Sequence, residues 1–202
     1  MRRWAGSMLA AALASLAAAG CQDATASSSG NVAHPALAAR SSAVRECAAS
    51  LLVLRPGPFG SAMTGEHADS FMLTNRGSAA CTVSGYPQVT LYDSHGVAVP
   101  FRYATGGGAY VTAKRPATVL LSPGKSAYVL VAKYRCDLGT LDDATAIRLS
   151  LRADKGPAFA GREPVGGGAA GLSYCKGGRA DPGQLVTVSP LEATFQATTS
   201  LP

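Results

Sequence analysis

Tryptophan is nearly missing from this chain: its 202 residues contain one, Trp4. Histidine is scarce as well, with three residues standing apart at positions 34, 67 and 95. None has a second ligand at the close spacing that metal sites use, so the sequence points to no metal centre and no metal cofactor. The cysteines show no C-x₂₋₄-C pair either, which argues against structural zinc. No G-x-S-x-G stretch occurs, so a nucleophile elbow is excluded. Long hydrophobic runs are also lacking. The most extended one, Trp4 to Ala19, covers 16 residues, short of the about 20 that span a bilayer as a helix.

That run follows two basic residues, Arg2 and Arg3, and ends in small ones. A charged start, an apolar middle and a small-residue end form a secretory signal, here residues 1–20. Ala18, Ala19 and Gly20, followed directly by Cys21, resemble a bacterial lipobox. The resemblance implies that the Cys21 sulfur carries a diacylglyceryl group, with fatty acyl chains such as palmitate, and that cleavage makes it the first mature residue. Ala18 stands where that motif usually has Leu. The other reading is an ordinary A-x-A cut after Ala19 that leaves Cys21 as a spare thiol.

Residues 22–43, "QDATASSSGNVAHPALAARSSA", have no aromatic residue and no apolar period. They cannot bury enough surface to fold, so residues 21–45 read as a lipidated flexible tether. A coil of this length reaches on the order of 25 Å. The partners implied are the membrane, through the lipid, and an envelope protein or wall polymer. The implied location is extracytoplasmic, on the outer face of the cell membrane.

Charge gives little away. The chain has 18 Lys and Arg against 12 Asp and Glu; loss of Arg2 and Arg3 with the signal leaves a formal +4. The basic residues are scattered and not interleaved with aromatics, so nucleic acid is not an expected partner.

The remainder, residues 46–202, is long enough for one domain with a real core. It reads as strands. In "TAIRLSLR" at 145–152, Ile147, Leu149 and Leu151 alternate with Arg148, Ser150 and Arg152, a strict period of two with one wet face. Similar segments are "SFMLTN" (70–75), "QVTLYD" (88–93), "VAVPF" (97–101), "TVLL" (118–121), "AYVLVAK" (127–133) and "LVTVS" (185–189). "SLLVL" at 50–54 is apolar on both faces and predicts a central or doubly covered strand. "DSHG" at 93–96 suits a hairpin turn, and "SPGK" at 122–125 a type II turn. With seven to nine short strands and no convincing amphipathic helix, the expected fold is an all-β antiparallel β-sandwich of immunoglobulin-like type. A barrel is the alternative.

Cys47, Cys81, Cys136 and Cys175 form an even set inside an exported domain, a context that favours disulfides. Three connectivities are possible. The two most local closures, Cys47 with Cys81 and Cys136 with Cys175, are the expected pairs.

"LTNRGSAACTVSGYPQVTLYDSHG" at 73–96, with "LSPGKSAYVLV" at 121–131 and the later Cys136 and Cys175, resembles an actinobacterial family of exported domains known as domain of unknown function 4232. The similarity runs from about Cys47 to Pro190. Its most specific piece is Asn75, Cys81, Gly85, Tyr86 and Pro87. The resemblance implies a secreted or lipid-anchored β-sandwich with two cysteine pairs, and it carries over no catalytic residue. Related chains often have Trp near the position of Lys133, where this domain has none.

Other features invite sharper readings. "GGGAAG" at 166–171 fits G-x-G-x-x-G, yet no strand precedes it and no helix follows, so a flexible loop is expected. "GGG" at 106–108 reads the same way. Tyr134 lies two residues before Cys136, as in a tyrosine corner. Asp142 and Asp143 are adjacent, but neighbours on an extended segment point apart, and paired acid–base work needs both to face one substrate. No catalytic constellation is visible. The functional expectation is a non-catalytic binding module of the cell envelope. An envelope hydrolase or transferase whose site is assembled across loops is the alternative.

Overall fold

A computed structural model gives the fold; it describes residues 44–58, 65–137, 139–151, 161–164 (backbone only) and 171–200. The signal segment, Cys21 and most of the tether lie outside the described residues.

Among the described residues, twelve strands account for nearly all the regular structure. They are β1 (Leu52–Pro56), β2 (Glu66–Asn75), β3 (Cys81–Val83), β4 (Gln88–Tyr92), β5 (Arg102–Thr105), β6 (Val119–Leu121), β7 (Ser126–Tyr134), β8 (Leu141–Asp142), β9 (Ala146–Ser150), β10 (Gly161–Pro164), β11 (Tyr174–Cys175) and β12 (Leu185–Val188). One short helix, α1 (Phe195–Thr198), follows, its first turn capped by the Thr194 hydroxyl accepting from the Ala197 N–H. The main sheet has the order β1-β2-β7-β12-β5 and a second has the order β10-β9-β4; β3 pairs with β6 and β8 with β11. Every pair is antiparallel except β5 with β12, which run parallel. That parallel pair departs from the purely antiparallel expectation.

The two larger sheets face a common core. Phe71 and Leu73 of β2, Val129 and Val131 of β7, and Val186 of β12 meet Leu91 of β4 and Ile147 and Leu149 of β9. Leu91, Ile147 and Leu149 are fully buried, and each such side chain contributes about 1.5–3 kcal/mol of transfer free energy. On β9 Arg148 is exposed between the buried Ile147 and Leu149, as its sequence predicts, whereas Ser150, expected on the wet face, is buried.

β7 is covered on both faces. Ala127, Val129 and Val131 point into the main core, while Leu130 and Ala132 pack with Tyr110, Val111 and Phe195 on the other side. A doubly covered strand needs a near-continuous apolar run, and "AYVLVA" supplies it. "SLLVL", expected to fill that place, lies elsewhere: β1 is the edge of the main sheet, with Leu52 and Leu54 buried and Leu51 44% exposed.

The turns follow their residues. Gly124 adopts φ +76°, and the Lys125 N–H donates to the Ser122 carbonyl at 2.9 Å, with Pro123 at the first central position. This is the type II arrangement. Asp93 organises the turn after β4, its Oδ1 accepting from the N–H groups of His95 (2.9 Å) and Val97 (2.8 Å). "VAVPF" nevertheless forms no strand beyond a single bridge between Tyr92 and Ala98. Pro100 has no N–H to donate to a ladder, and the Phe101 N–H turns back to the Val99 carbonyl at 2.8 Å.

Both disulfides form as expected. Cys47–Cys81 ties the segment before β1 to β3, and Cys136–Cys175 ties the end of β7 to β11, with Cα separations of 4.8 and 5.3 Å.

Candidate functional site

A concavity of about 760 Å³ opens between β4 and β5. Its lining comes from two stretches, 84–90 and 103–105, together with Glu46 and Val188 of β12. Gln88, Val89 and Thr90 come from β4, Tyr103, Ala104 and Thr105 from β5, and the loop Ser84–Pro87 closes one end. That loop is fixed. Gly85 takes φ +86°, its carbonyl accepts from the N–H of the fully buried Leu191 at 2.9 Å, and Pro87 is buried ahead of β4.

Two tyrosines tie the walls together. The Tyr103 hydroxyl accepts from the Leu91 N–H at 3.0 Å, so a side chain of the main sheet reaches the edge of the second sheet. Burial raises the Tyr103 pKa above its ordinary value, opposed by that backbone hydrogen bond. The phenol therefore stays protonated and can still donate. The Tyr86 hydroxyl donates to the Lys114 carbonyl at 3.4 Å.

Beside Tyr86 runs the glycine triplet, which is not the loose loop its composition predicts. Gly106, Gly107 and Gly108 take φ of +66°, +80° and +84°, and the N–H groups of Gly106 and Gly107 donate to Val188 (2.8 Å) and Thr112 (3.0 Å). Three successive left-handed residues form a hydrogen-bonded turn that only glycine enters without steric cost.

A second polar feature lies at the far end of β7. Lys133 continues the core-facing row of Val129 and Val131 and is 3% exposed. Its ammonium donates to Cys136 Sγ at 3.6 Å. Burial drives its pKa down from 10.5 to about 8, while the charges of Asp181 and Glu66 pull upward. A cleft of about 270 Å³ reaches it, lined also by His67, Arg135, Cys136 and Asp137. Lys133 carries the titratable surprise of the molecule. Its sequence signal was the two-residue phase with Val129 and Val131, which places residue 133 on the buried face.

The remaining candidates separate. Asp142 accepts from Lys176 Nζ at 2.6 Å and Asp143 from the Ser173 hydroxyl at 2.7 Å, so the adjacent carboxylates serve different partners. His95 is exposed on the β4 turn, whereas His67 lies on β2 opposite Lys133. Among the described residues no group of three or more His, Cys, Asp or Glu could hold a metal ion. The Tyr134 ring lies close against Gly65. Residues 166–170 of "GGGAAG" and Cys21 fall outside the described residues. No helix among the described residues is long and apolar enough to cross a membrane.

Asn75 closes β2, Cys81 opens β3, and Gly85, Tyr86 and Pro87 form the fixed loop at the groove. The model of the family described as Domain of unknown function (DUF4232) matches residues 47–192. This chain belongs to the DUF4232 family. The match covers both disulfides and every strand of the DUF4232 domain, and ends beyond β12. No curated protein and no solved structure matches the chain.

Proposed function

We propose that this DUF4232 protein is a non-catalytic binding module of an actinobacterial cell envelope. It is held to the outer face of the membrane by a lipidated Cys21 and carried on a tether of residues 21–45. The observation that carries the binding reading is the open groove between β4 and β5, whose walls are a clamped loop, Ser84–Pro87, and two sheet edges. A surface already held in shape gives up little conformational entropy on binding, which is what recognition requires. Two or three acyl chains on Cys21 hold the protein stably, since one chain alone binds a bilayer only marginally.

The test has two parts. Full-length protein is followed by membrane fractionation, where Cys21→Ser is expected to move it to the soluble fraction; equal membrane retention of the variant would refute lipidation. Retention of the soluble domain on washed cell envelopes is compared with that of a Tyr86→Ala, Thr105→Pro form of unchanged circular dichroism. Loss of retention supports the binding reading, and equal retention counts against the groove.

One observation favours the alternative, an envelope hydrolase or transferase: a cleft-lining lysine held at about 8, the range in which an amine can act as a base. An activity found in hydrolase screening and abolished by Lys133→Met would establish it.

A further inference from the structure

We propose that the groove between β4 and β5 is a strand-addition site that takes an extended peptide carrying a basic residue at its Glu46 end. This rests on the binding-module reading and names the class of its partner. Its basis is the direction in which two strands present their backbone.

β5 is the last strand of the main sheet and β4 the last of the second, so each has an edge with no neighbouring strand among the described residues. The Gly106 N–H donates to the Val188 carbonyl at 2.8 Å, toward β12. In a parallel ladder alternate residues of a strand face the same neighbour. Ala104 therefore also faces β12, and the N–H and C=O groups of Tyr103 and Thr105 are directed the other way, into the groove. On β4, Leu91 gives the direction. Its N–H donates to the Tyr103 hydroxyl at 3.0 Å and its carbonyl accepts from Val99 at 2.9 Å, both on the side away from β9. Val89, two residues earlier, presents its backbone to that side as well, where it lines the concavity.

Edges of this kind are ordinarily blunted by lysine, proline or a bulge. Leu91 is blunted here by Tyr103 and Val99, whereas positions 103–105, "YAT", carry none of these devices. Backbone donors and acceptors facing a groove are what an added strand satisfies, with side-chain pockets supplying the choice of sequence. The backbone edge favours a peptide over a sugar ring, because an extended peptide can pair with the N–H and C=O groups of Tyr103 and Thr105. Glu46 is the single charged residue among those lining the groove, and Ser84, Gln88, Thr90 and Thr105 supply neutral polar groups. That pattern selects one cationic residue near Glu46 and small or β-branched residues beyond it.

The probe is a phage-displayed library of random linear heptapeptides, panned on the disulfide-intact soluble domain. Enriched peptides are expected to carry one Lys or Arg near one end. Synthesised with N-methyl groups on alternate amides facing β5, they should bind at least tenfold more weakly, while N-methylation of the other amides has little effect. In the labelled domain, the amides of Tyr103 and Thr105 should gain hydrogen-exchange protection of tenfold or more on peptide addition. Thr105→Pro, which removes a groove-facing N–H and leaves the β12 ladder intact, should abolish binding without changing the urea midpoint by more than a few tenths of a molar; Glu46→Gln should weaken it and remove the preference for Lys or Arg. If Thr105→Pro loses stability, the N-methylated peptides on the unaltered domain decide. Enrichment no greater than on an albumin control, equal binding of both N-methylated forms, or protection of these amides by self-association in the peptide-free domain would each overturn the proposal. Failure here while the unaltered domain is still retained on envelopes overturns strand addition alone; no retention of the unaltered domain on envelopes overturns the binding module itself.

Discussion

The Lys133 ammonium sits 3.6 Å from the Cys136 sulfur, at the point where β7 leaves the core. A buried cation beside a disulfide is an expensive neighbour, and its cost is visible in pH. Below about pH 8 the amine is charged in both folded and unfolded chains, and the native state bears the full penalty of burial. Between about 8 and 10.5 the unfolded chain still holds a proton that the native state has released, so stability rises with pH, by up to roughly 3 kcal/mol. Urea denaturation from pH 7.5 to 10 should show this rise in the native sequence and a flat profile in Lys133→Met. A flat profile in both would mean that Lys133 is not desolvated in solution.

Asn75 is fully buried and makes three hydrogen bonds: Nδ2 donates to the carbonyls of Ala79 and Leu121, both at 2.9 Å, and Oδ1 accepts from the Gly77 N–H at 2.8 Å. It joins β2, the loop before β3 and the end of β6. Asn75→Leu leaves those backbone groups without partners, at about 1–3 kcal/mol each where they are shut off from water. A loss of at least 3 kcal/mol in chemical denaturation is expected. A loss under 1 kcal/mol would show that water replaces the amide.

The glycine turn allows a paired comparison. A Cβ at Gly107 meets nothing within 4 Å, whereas one at Gly106 comes within 2.8 Å of the Tyr86 hydroxyl. Gly107→Ala should cost about 1–2 kcal/mol for the left-handed backbone alone, and Gly106→Ala should cost more. Adding Tyr86→Phe should recover part of the difference, as read from thermal midpoints of the four proteins. Equal costs for the two alanines would show that Tyr86 swings aside freely.

The two disulfides close loops of similar size, with separations of 34 and 39 residues. The chain-entropy account gives each about 4 kcal/mol. Replacing Cys47 and Cys81 together by Ala, or Cys136 and Cys175 together, should therefore lower stability by nearly equal amounts. A large inequality would place the difference in native packing, for instance in the Lys133 contact.

Most of the fold was legible where a local rule acts alone. The period of Ile147 and Leu149, the Pro123–Gly124 turn and the local pairing of four cysteines need no information from distant residues. "AYVLVAK" could be read as a strand but not as the doubly covered one, because its second cover is Tyr110, Val111 and Phe195, brought by chain remote in sequence. β5 was missed for a related reason: "RYAT" has no alternation of its own and pairs with residues 185–188. Of the candidate site, Gly85, Tyr86 and Pro87 stood out in the sequence. The groove they border did not, because it is defined by edges, and an edge is a statement about which strands are not neighbours.

The order β1-β2-β7-β12-β5 places the last of the described strands inside its main sheet, between two strands made long before it. A ribosome, or a translocation channel that releases the chain N-terminus first, delivers residues 185–188 after every other described strand. Until then β5 has no partner in this sheet and β7 lacks one of its two. The sheet is thus keyed by a late strand: a product ending short of residue 185 would have to leave β7 open along one side.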